Sequence, residues 1–409
     1  MPKQPKPPTR TMAILRYGVD SQIELTEVDA ASLGQPHGAS QPADPAAATT
    51  AALESPLDYP PLARCVTPAD RVVLALDHGA PGVDHVIAAT VRCLIEAGVE
   101  PEAVTLLQSR PNDDPRGQLE SSLRQRVALH THDPDDRRQL AYLAASESGE
   151  PILINRHLHE ADVVLPIVCL RADETAGYYG IHGAVFPAFS DAKTLQRFRS
   201  PGALHGDRLR RSRLIAEADE AAWLLGVHFT IQLLPAGGDA LLHVLAGQSD
   251  SVRRHGQELY ATAWRCEAAG RADLVVAAVE GDARQQTWEN LARALQAADA
   301  LADEDGAIAL CSELIEPPGP ALQHLACKCS HGASHHTHKE RSADSLPAAL
   351  LADVQKRHKI YLLSRLDAAV VEDLDLVPLA DADELSRLVE QRRSCILLSN
   401  APYVSVVHV

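Results

Sequence analysis

From Val72 the chain alternates two kinds of apolar pattern. "RVVLALD" is an unbroken apolar run, as expected of a strand buried on both faces of a parallel sheet. "DHVIAATVRCLIEAGV" spaces its apolar residues at helical intervals and stops at Gly98, and "AVTLLQS" is strand-like again. A strand, helix, strand order requires a crossover and therefore parallel pairing. Upstream, "MAILRYGVDSQIEL" places two short alternating runs around Gly18, Val19 and Asp20 and predicts a hairpin. A polar, Ala/Pro-rich stretch covers about residues 30–48, and "DPAAATTAALESPL" predicts a short helix with Pro45 in its first turn.

Downstream, "PILINRHLHEADVVLPIV" carries two strand-like runs and "DAKTLQRF" a helix, and "GDRLRRSRLIAEADEAAWLLG" reads as polar. The extended runs "VHFTIQLLP" and "ALLHVLAG" are separated by Ala236, Gly237 and Gly238, and the helix "DSVRRHGQELYATAWRCEAA" is expected to end at Gly270. A second alternation follows in "ADLVVAAVEG", "TWENLARALQAADALA", "AIALCSE", "KIYLLSRL" and "SCILLS". The expected fold class is α/β. Two α/β domains with mainly parallel sheets, residues 1–270 and 271–409, are expected to enclose an interdomain cleft, where small-molecule sites tend to form.

Composition narrows the function. The formal net charge of -17 would repel a phosphate backbone, and no basic stripe with interleaved aromatics offsets it, so a nucleic-acid partner is not expected. No apolar run approaches the length that spans a bilayer, and the basic start lacks a signal-peptide core, which predicts a cytoplasmic protein with no membrane partner. Cys65, Cys93, Cys169, Cys266, Cys311 and Cys395 are widely spaced in apolar or helical contexts, as reduced core thiols are in a reducing compartment.

Two segments concentrate chemistry. "RADETAGYYGIHGAVFPAFSD", Arg171 to Asp191, follows a predicted strand, and ligands of open α/β sheets gather at the carboxyl ends of strands. "HLACKCSHGASHHTHKERS", in an insertion over about residues 324–345, places Cys327, Cys329, His331, His335, His336 and His338 within a dozen residues. That is the composition of a transition-metal-capturing tract, although its spacing matches no closed zinc motif. Elsewhere, His157 and His159 are expected to share a strand face, and His130 and His132 to lie in a solvated turn before Asp133 and Pro134.

The order of "AALESPLDYPPLARCVTPADRVVLALD", "LIEAGVEPEAVTLL", "ASESGEPILINRHLHEADVVLPI", "AGYYG" before a proline, "LLGVHFTIQLL" and "DLVVAAVEG" resembles the nickel-dependent lactate racemase family. The resemblance runs from about Met12 to Leu398. It implies two α/β domains holding a nickel-pincer nucleotide. The implied reaction is racemisation of a 2-hydroxy acid by hydride abstraction and return, with histidine as acid and base, a role that suits a group titrating near neutrality.

Carried over residue by residue, the resemblance keeps a frame and changes its chemistry. Ala176, Gly177, Tyr178, Gly180 and Pro187 match the family loop. Asp173 stands where the catalytic histidine would be, His182 where an arginine would be, and Gly183 where a lysine would bind the pincer covalently. In the first turn after a strand, Asp77 and Pro81 are kept, whereas Gly79 and Ala80 replace the threonine and arginine that seat a phosphate. Arg110 and Pro111 are kept after Ser109, which replaces the second catalytic histidine, and Arg199 falls on the nickel-ligating histidine. Asn290 and Arg293 map to the glutamine and lysine of the second domain, which implies that they line the cleft. His78, His182 and His205 lie close to the changed positions; imidazole suits nickel by ligand type, while the plain reading is partly exposed histidines. The candidate catalytic residues are thus Asp173, His182, Asn290 and Arg293, and the candidate cofactor contacts Asp77, Arg110, Gly177 and Gly180. Two functions follow: a 2-hydroxy-acid isomerase with a rearranged site, or a cofactor-free member that binds a small ligand or a metal.

Overall fold

A computed structural model describes residues 11–28, 30–36, 42–110, 114–146, 149–200, 208–330 and 344–408. The chain divides into two compact units, Pro36–Ala263 and a second made of Met1–Gln35 with Trp264–Val409. The break expected near Gly270 thus falls at Trp264, and the first residues join the C-terminal unit instead of the segment that follows them.

The reason lies in the hairpin. β1 (Thr11–Tyr17) and β2 (Ser21–Val28) pair antiparallel around Gly18, whose φ of 61° suits glycine. Leu15, Ile23 and Leu25 are fully buried among residues of the C-terminal sheet. β3 (Ala30–Leu33) then adds to the edge of that sheet, which corrects the polar reading of about residues 30–48. Its small residues, Ala-Ala-Ser-Leu, carry no strand signal of their own. Residues 37–41 lie outside the described residues.

In the Pro36–Ala263 unit, α1 (Pro45–Glu54) is capped by Asp44, whose carboxylate accepts from the Ala46 amide at 3.0 Å. Next come β4 (Val72–Leu76), α2 (Val83–Glu96) and β5 (Val104–Gln108). α3 (Ser121–Arg126) precedes β6 (Ala128–Thr131). β7 (Leu140–Ala145) and β8 (Pro151–Asn155) form a separate antiparallel pair, followed by α4 (Arg156–Glu160) and β9 (Val163–Cys169). α5 (Ala192–Phe198), α6 (Arg208–Leu224), β10 (Phe229–Gly237), β11 (Ala240–Gln248) and α7 (Ser249–Trp264) complete it. The sheet order is β11-β10-β9-β4-β5-β6, parallel except for the β10–β11 hairpin.

Four sequence expectations change here. The polar stretch is helix α6, whose buried side is built from Leu214, Ala218, Ala221 and Ala222. A face made mostly of alanine gives little periodic contrast. α7 stops at Trp264, not Gly270, because Arg265–Ala268 forms a further strand, β12. His157 and His159 sit on α4, not on a strand, and His157 stacks on His130 with centroids 4.2 Å apart. His132 is buried, not solvated: Nε2 donates to the Ser190 carbonyl at 2.8 Å and Nδ1 accepts from the Asn155 amide at 2.9 Å.

The other unit continues with β13 (Ala272–Ala278), α8 (Trp288–Leu301), β14 (Ala302–Cys311), α9 (Pro320–Ser330) and α10 (Ser345–Val354). β15 (Lys359–Leu363), α11 (Ala368–Asp373), β16 (Val377–Leu379), α12 (Ala382–Glu390), β17 (Cys395–Leu398) and β18 (Ser405–His408) close the chain. The sheet β16-β15-β14-β13-β17-β3 is parallel throughout, and β12 pairs parallel with β18. The α/β class and the two mainly parallel sheets are as expected. Cys65, Cys93, Cys169, Cys266, Cys311 and Cys395 are free thiols. Among the described residues no helix is long and apolar enough to cross a membrane.

Candidate functional site

Because β4, β5 and β9 are parallel, the segments that follow them share the carboxyl edge of one sheet. Asp77, just past β4, braces this edge: its amide donates to the Ile167 carbonyl and its carboxylate accepts from the Cys169 amide, both at 3.0 Å. Ser109 and Arg110 leave the end of β5 half-buried, and Pro111 lies outside the described residues. The loop from Arg171 to Asp191 leaves β9.

Its frame is built from below and from the side. Ile181, Val185, Phe186 and Phe189 are buried, the last three in the core cluster that also contains Phe198 and Leu214. Gly177 and Gly180 both take a φ of 75°, a conformation that side chains with a Cβ rarely adopt. Arg211 of α6 reaches across, and one of its terminal nitrogens donates to the carbonyls of Tyr178 at 2.7 Å and Thr175 at 3.1 Å. Burial holds that guanidinium below its ordinary pKa. Tyr179 donates its hydroxyl to the Phe198 carbonyl, and burial pushes its pKa up to about 12. Burial also raises the hydroxyls of Tyr178 and Tyr260, so both stay neutral at any physiological pH.

The chemistry-bearing positions divide sharply. Asp173 is exposed and accepts from the Gln257 side-chain amide at 3.0 and 3.2 Å. An exposed carboxylate held by a neutral amide is a surface contact. His182 is different: its side chain is 13% exposed, and Nδ1 meets Asp219 Oδ1 of α6 at 2.7 Å. Its Nε2 is buried and has no hydrogen-bond partner. A carboxylate on Nδ1 fixes the tautomer and leaves Nε2 as an open acceptor in the neutral ring. Asp250 lies within electrostatic reach of the same imidazole.

Gly183, next to it, closes a turn by donating its amide to the Gly180 carbonyl at 3.2 Å. A Cβ at this position would lie 3.2 Å from the Gly180 oxygen and 3.3 Å from the Tyr179 nitrogen. Both neighbours are backbone atoms, so they cannot swing away as a side chain would. Arg199 caps the carboxyl end of α5, donating its amide to the Leu195 carbonyl. His205 lies outside the described residues.

Asn290 and Arg293 belong to the other unit. Asn290 is buried at the start of α8; its amide nitrogen donates to the Gln285 carbonyl at 2.9 Å, and its oxygen accepts from Arg293 at 2.8 Å. Tyr403 joins the network by donating to the Gln285 side chain at 3.0 Å. These bonds tie the segment after β13 to the segment after β17. Close by, Glu280, two residues past the end of β13, has its pKa raised to about 7, chiefly by burial, against the opposing effects of Arg16 and the Asn400 backbone.

Cys327 and Cys329 fall in the last turn of α9, and nothing is described of their side chains; His331, His335, His336 and His338 lie outside the described residues. Among the described residues no cluster of three or more His, Cys, Asp or Glu side chains has metal-binding geometry. Sequence reasoning found His182 but missed Asp219, Arg211 and Gln257, which come from helices. The signal for Asp219 would have been the alanine face of α6, which fixes which residues point back at the loop.

Comparison with known proteins bears on the fold and the family. Residues 17–205 match the family model described as lactate racemase N-terminal domain. A search of curated proteins finds no match. Among solved structures, the lactate racemase apoprotein from Thermoanaerobacterium thermosaccharolyticum superposes with a TM-score of 0.77 at 16% identity, covering 97% of this chain and 100% of that one. A protein from Thermotoga maritima superposes with a TM-score of 0.66 at 13% identity, covering 90% of this chain and 100% of that one.

Proposed function

We propose, from the match of residues 17–205 to the family model described as lactate racemase N-terminal domain, that the chain binds 2-hydroxy acids or related small anions without a covalently held nickel pincer. The observation that carries this reading is Gly183. It occupies the position that the family resemblance gives to the covalent lysine, and a Cβ there would press on the backbone of Gly180 and Tyr179 at 3.2–3.4 Å. Arg199, at the position of the nickel ligand, is a cation with no lone pair to offer. The residues present therefore do not fit the nickel-pincer nucleotide.

What the loop retains is one oriented imidazole. Asp219 accepts from Nδ1 of His182, so Nε2 can take a proton from a hydroxyl placed against it and give it back. A buried acceptor left without a partner costs about 1–3 kcal/mol. A ligand hydroxyl that reached Nε2 would recover that energy. Asp173, exposed and bonded to Gln257, contributes no comparable group.

Calorimetric titration with L-lactate, D-lactate and L-malate tests this reading, together with a racemisation assay on the same protein. We expect saturable binding that His182→Ala weakens at least tenfold, and no lactate racemisation. Racemisation by the pure protein, or binding indifferent to His182, would overturn it.

A further inference from the structure

Arg208, Arg210, Arg211 and Arg213 crowd into six residues at the start of α6, in a chain of formal net charge -17. The amino end of a helix disfavours cations, and no acidic residue stands in this first turn to offset them. Natural proteins break such local rules at functional or strained positions. Arg211 has a structural gain, since it clamps the loop carbonyls. Arg210 and Arg213 do not: Arg210 is exposed and reaches only the Ser200 hydroxyl at 3.5 Å, and Arg213 is exposed with no hydrogen bond or ion pair among the described residues.

Both line a cavity of about 650 Å³ whose other polar walls are Ser146, Arg197, Glu217 and Glu220. Arg197 and Glu217 neutralise each other through a two-pronged ion pair. Among the described residues, the charge left facing the cavity is two guanidinium groups one helical turn apart and one carboxylate. Guanidinium forks match tetrahedral oxyanions, and two of them match a dianion. Glu220 then accepts from hydroxyl groups of the same ligand, and the Ser146 hydroxyl either donates or accepts.

We propose that this cavity binds a hydroxyl-bearing phosphate monoester, with Arg210 and Arg213 on the phosphate and Glu220 on the hydroxyls. The cavity contains none of the loop residues discussed above, so the proposal stands apart from the reading of His182. The test is calorimetric titration of the full chain with ribose 5-phosphate, inorganic phosphate and ribose, repeated on the double variant Arg210→Ala/Arg213→Ala and on Glu220→Gln. Both arginines are exposed, so circular dichroism and the melting temperature of the double variant should match the parent. We expect saturable ribose 5-phosphate binding, at least tenfold weaker in the double variant. Glu220→Gln should weaken ribose 5-phosphate severalfold and leave inorganic phosphate unchanged or tighter. No saturable binding of ribose 5-phosphate, equal binding by the double variant, or binding of ribose as tight as that of its phosphate would each overturn the proposal.

Discussion

Glu280→Gln should make the protein more stable at alkaline pH and leave it unchanged in acid. Glu280 lies two residues past the end of β13 (Ala272–Ala278), where Gly18 of the hairpin turn lies alongside it in a parallel bridge. Burial raises its pKa from 4.5 to about 7, against Arg16 and the Asn400 backbone, which favour the charged form. The folded state therefore binds more protons than the unfolded state between these two values. Stability contributed by the neutral carboxyl is complete below about 4.5 and declines as pH rises to about 7; above that the ionised, buried carboxylate carries its full penalty. A shift of this size corresponds to roughly 3 kcal/mol, an upper figure since the partly exposed carboxyl retains some solvent. Glutamine keeps the shape and removes the ionisation. Urea denaturation of both proteins at pH 5, 6, 7 and 8.5 reads the difference directly. We expect the variant to exceed the parent by about 2–3 kcal/mol at pH 8.5 and the gap to narrow to about 1 kcal/mol or less at pH 5. A gap that does not change with pH would show that Glu280 ionises freely and that the burial argument fails.

Three further perturbations bear on the loop and its surroundings. Gly183→Lys forces a Cβ to within 3.2 Å of the Gly180 oxygen, and we expect a loss of about 1–3 kcal/mol in thermal or urea unfolding, with no covalent adduct by intact mass even in a host that makes the pincer cofactor. Arg211→Ala removes the side-chain donor of the Tyr178 carbonyl and leaves the Thr175 carbonyl with the Tyr178 amide alone; limited proteolysis should then cut between Arg171 and Asp191 several times faster, with global stability lowered by about 1–3 kcal/mol. The His130–His157 stack should loosen in acid: burial and His130 lower the His157 pKa, so the folded state binds fewer protons than the unfolded one, and stability falls as pH drops below about 6.5. His157→Gln should flatten that acid limb of the stability curve, and an unchanged limb would assign it elsewhere.

Much of this fold could be read from apolar pattern alone, because buried parallel strands such as β4 and β13 leave continuous apolar runs and β-turn glycines such as Gly18 mark hairpins. The pattern failed where the buried face is made of small residues. β3 is Ala-Ala-Ser-Leu, and α6 packs on alanines, so neither contrasts with a polar loop. The site was legible to the same extent. His182 and Gly183 stood out because they lie in one loop whose frame, Ala176 to Gly180, is continuous in sequence. Asp219 and Arg211 did not, since their relation to the loop exists only once α6 is folded against it. Asp173 was singled out by position alone, and position says nothing about exposure. Glu280 gave no sequence signal at all, because its raised pKa comes from burial at a strand end.

The most direct measurement is intact mass with nickel content on protein produced in a host that also makes the pincer cofactor. With glycine at position 183, which has no side chain to carry a covalent link, the mass should equal that of the unmodified chain; any bound metal is then assigned by deleting residues 327–338. An added mass of one cofactor with one nickel per chain would contradict the central claim, because it would require another residue to hold the pincer covalently.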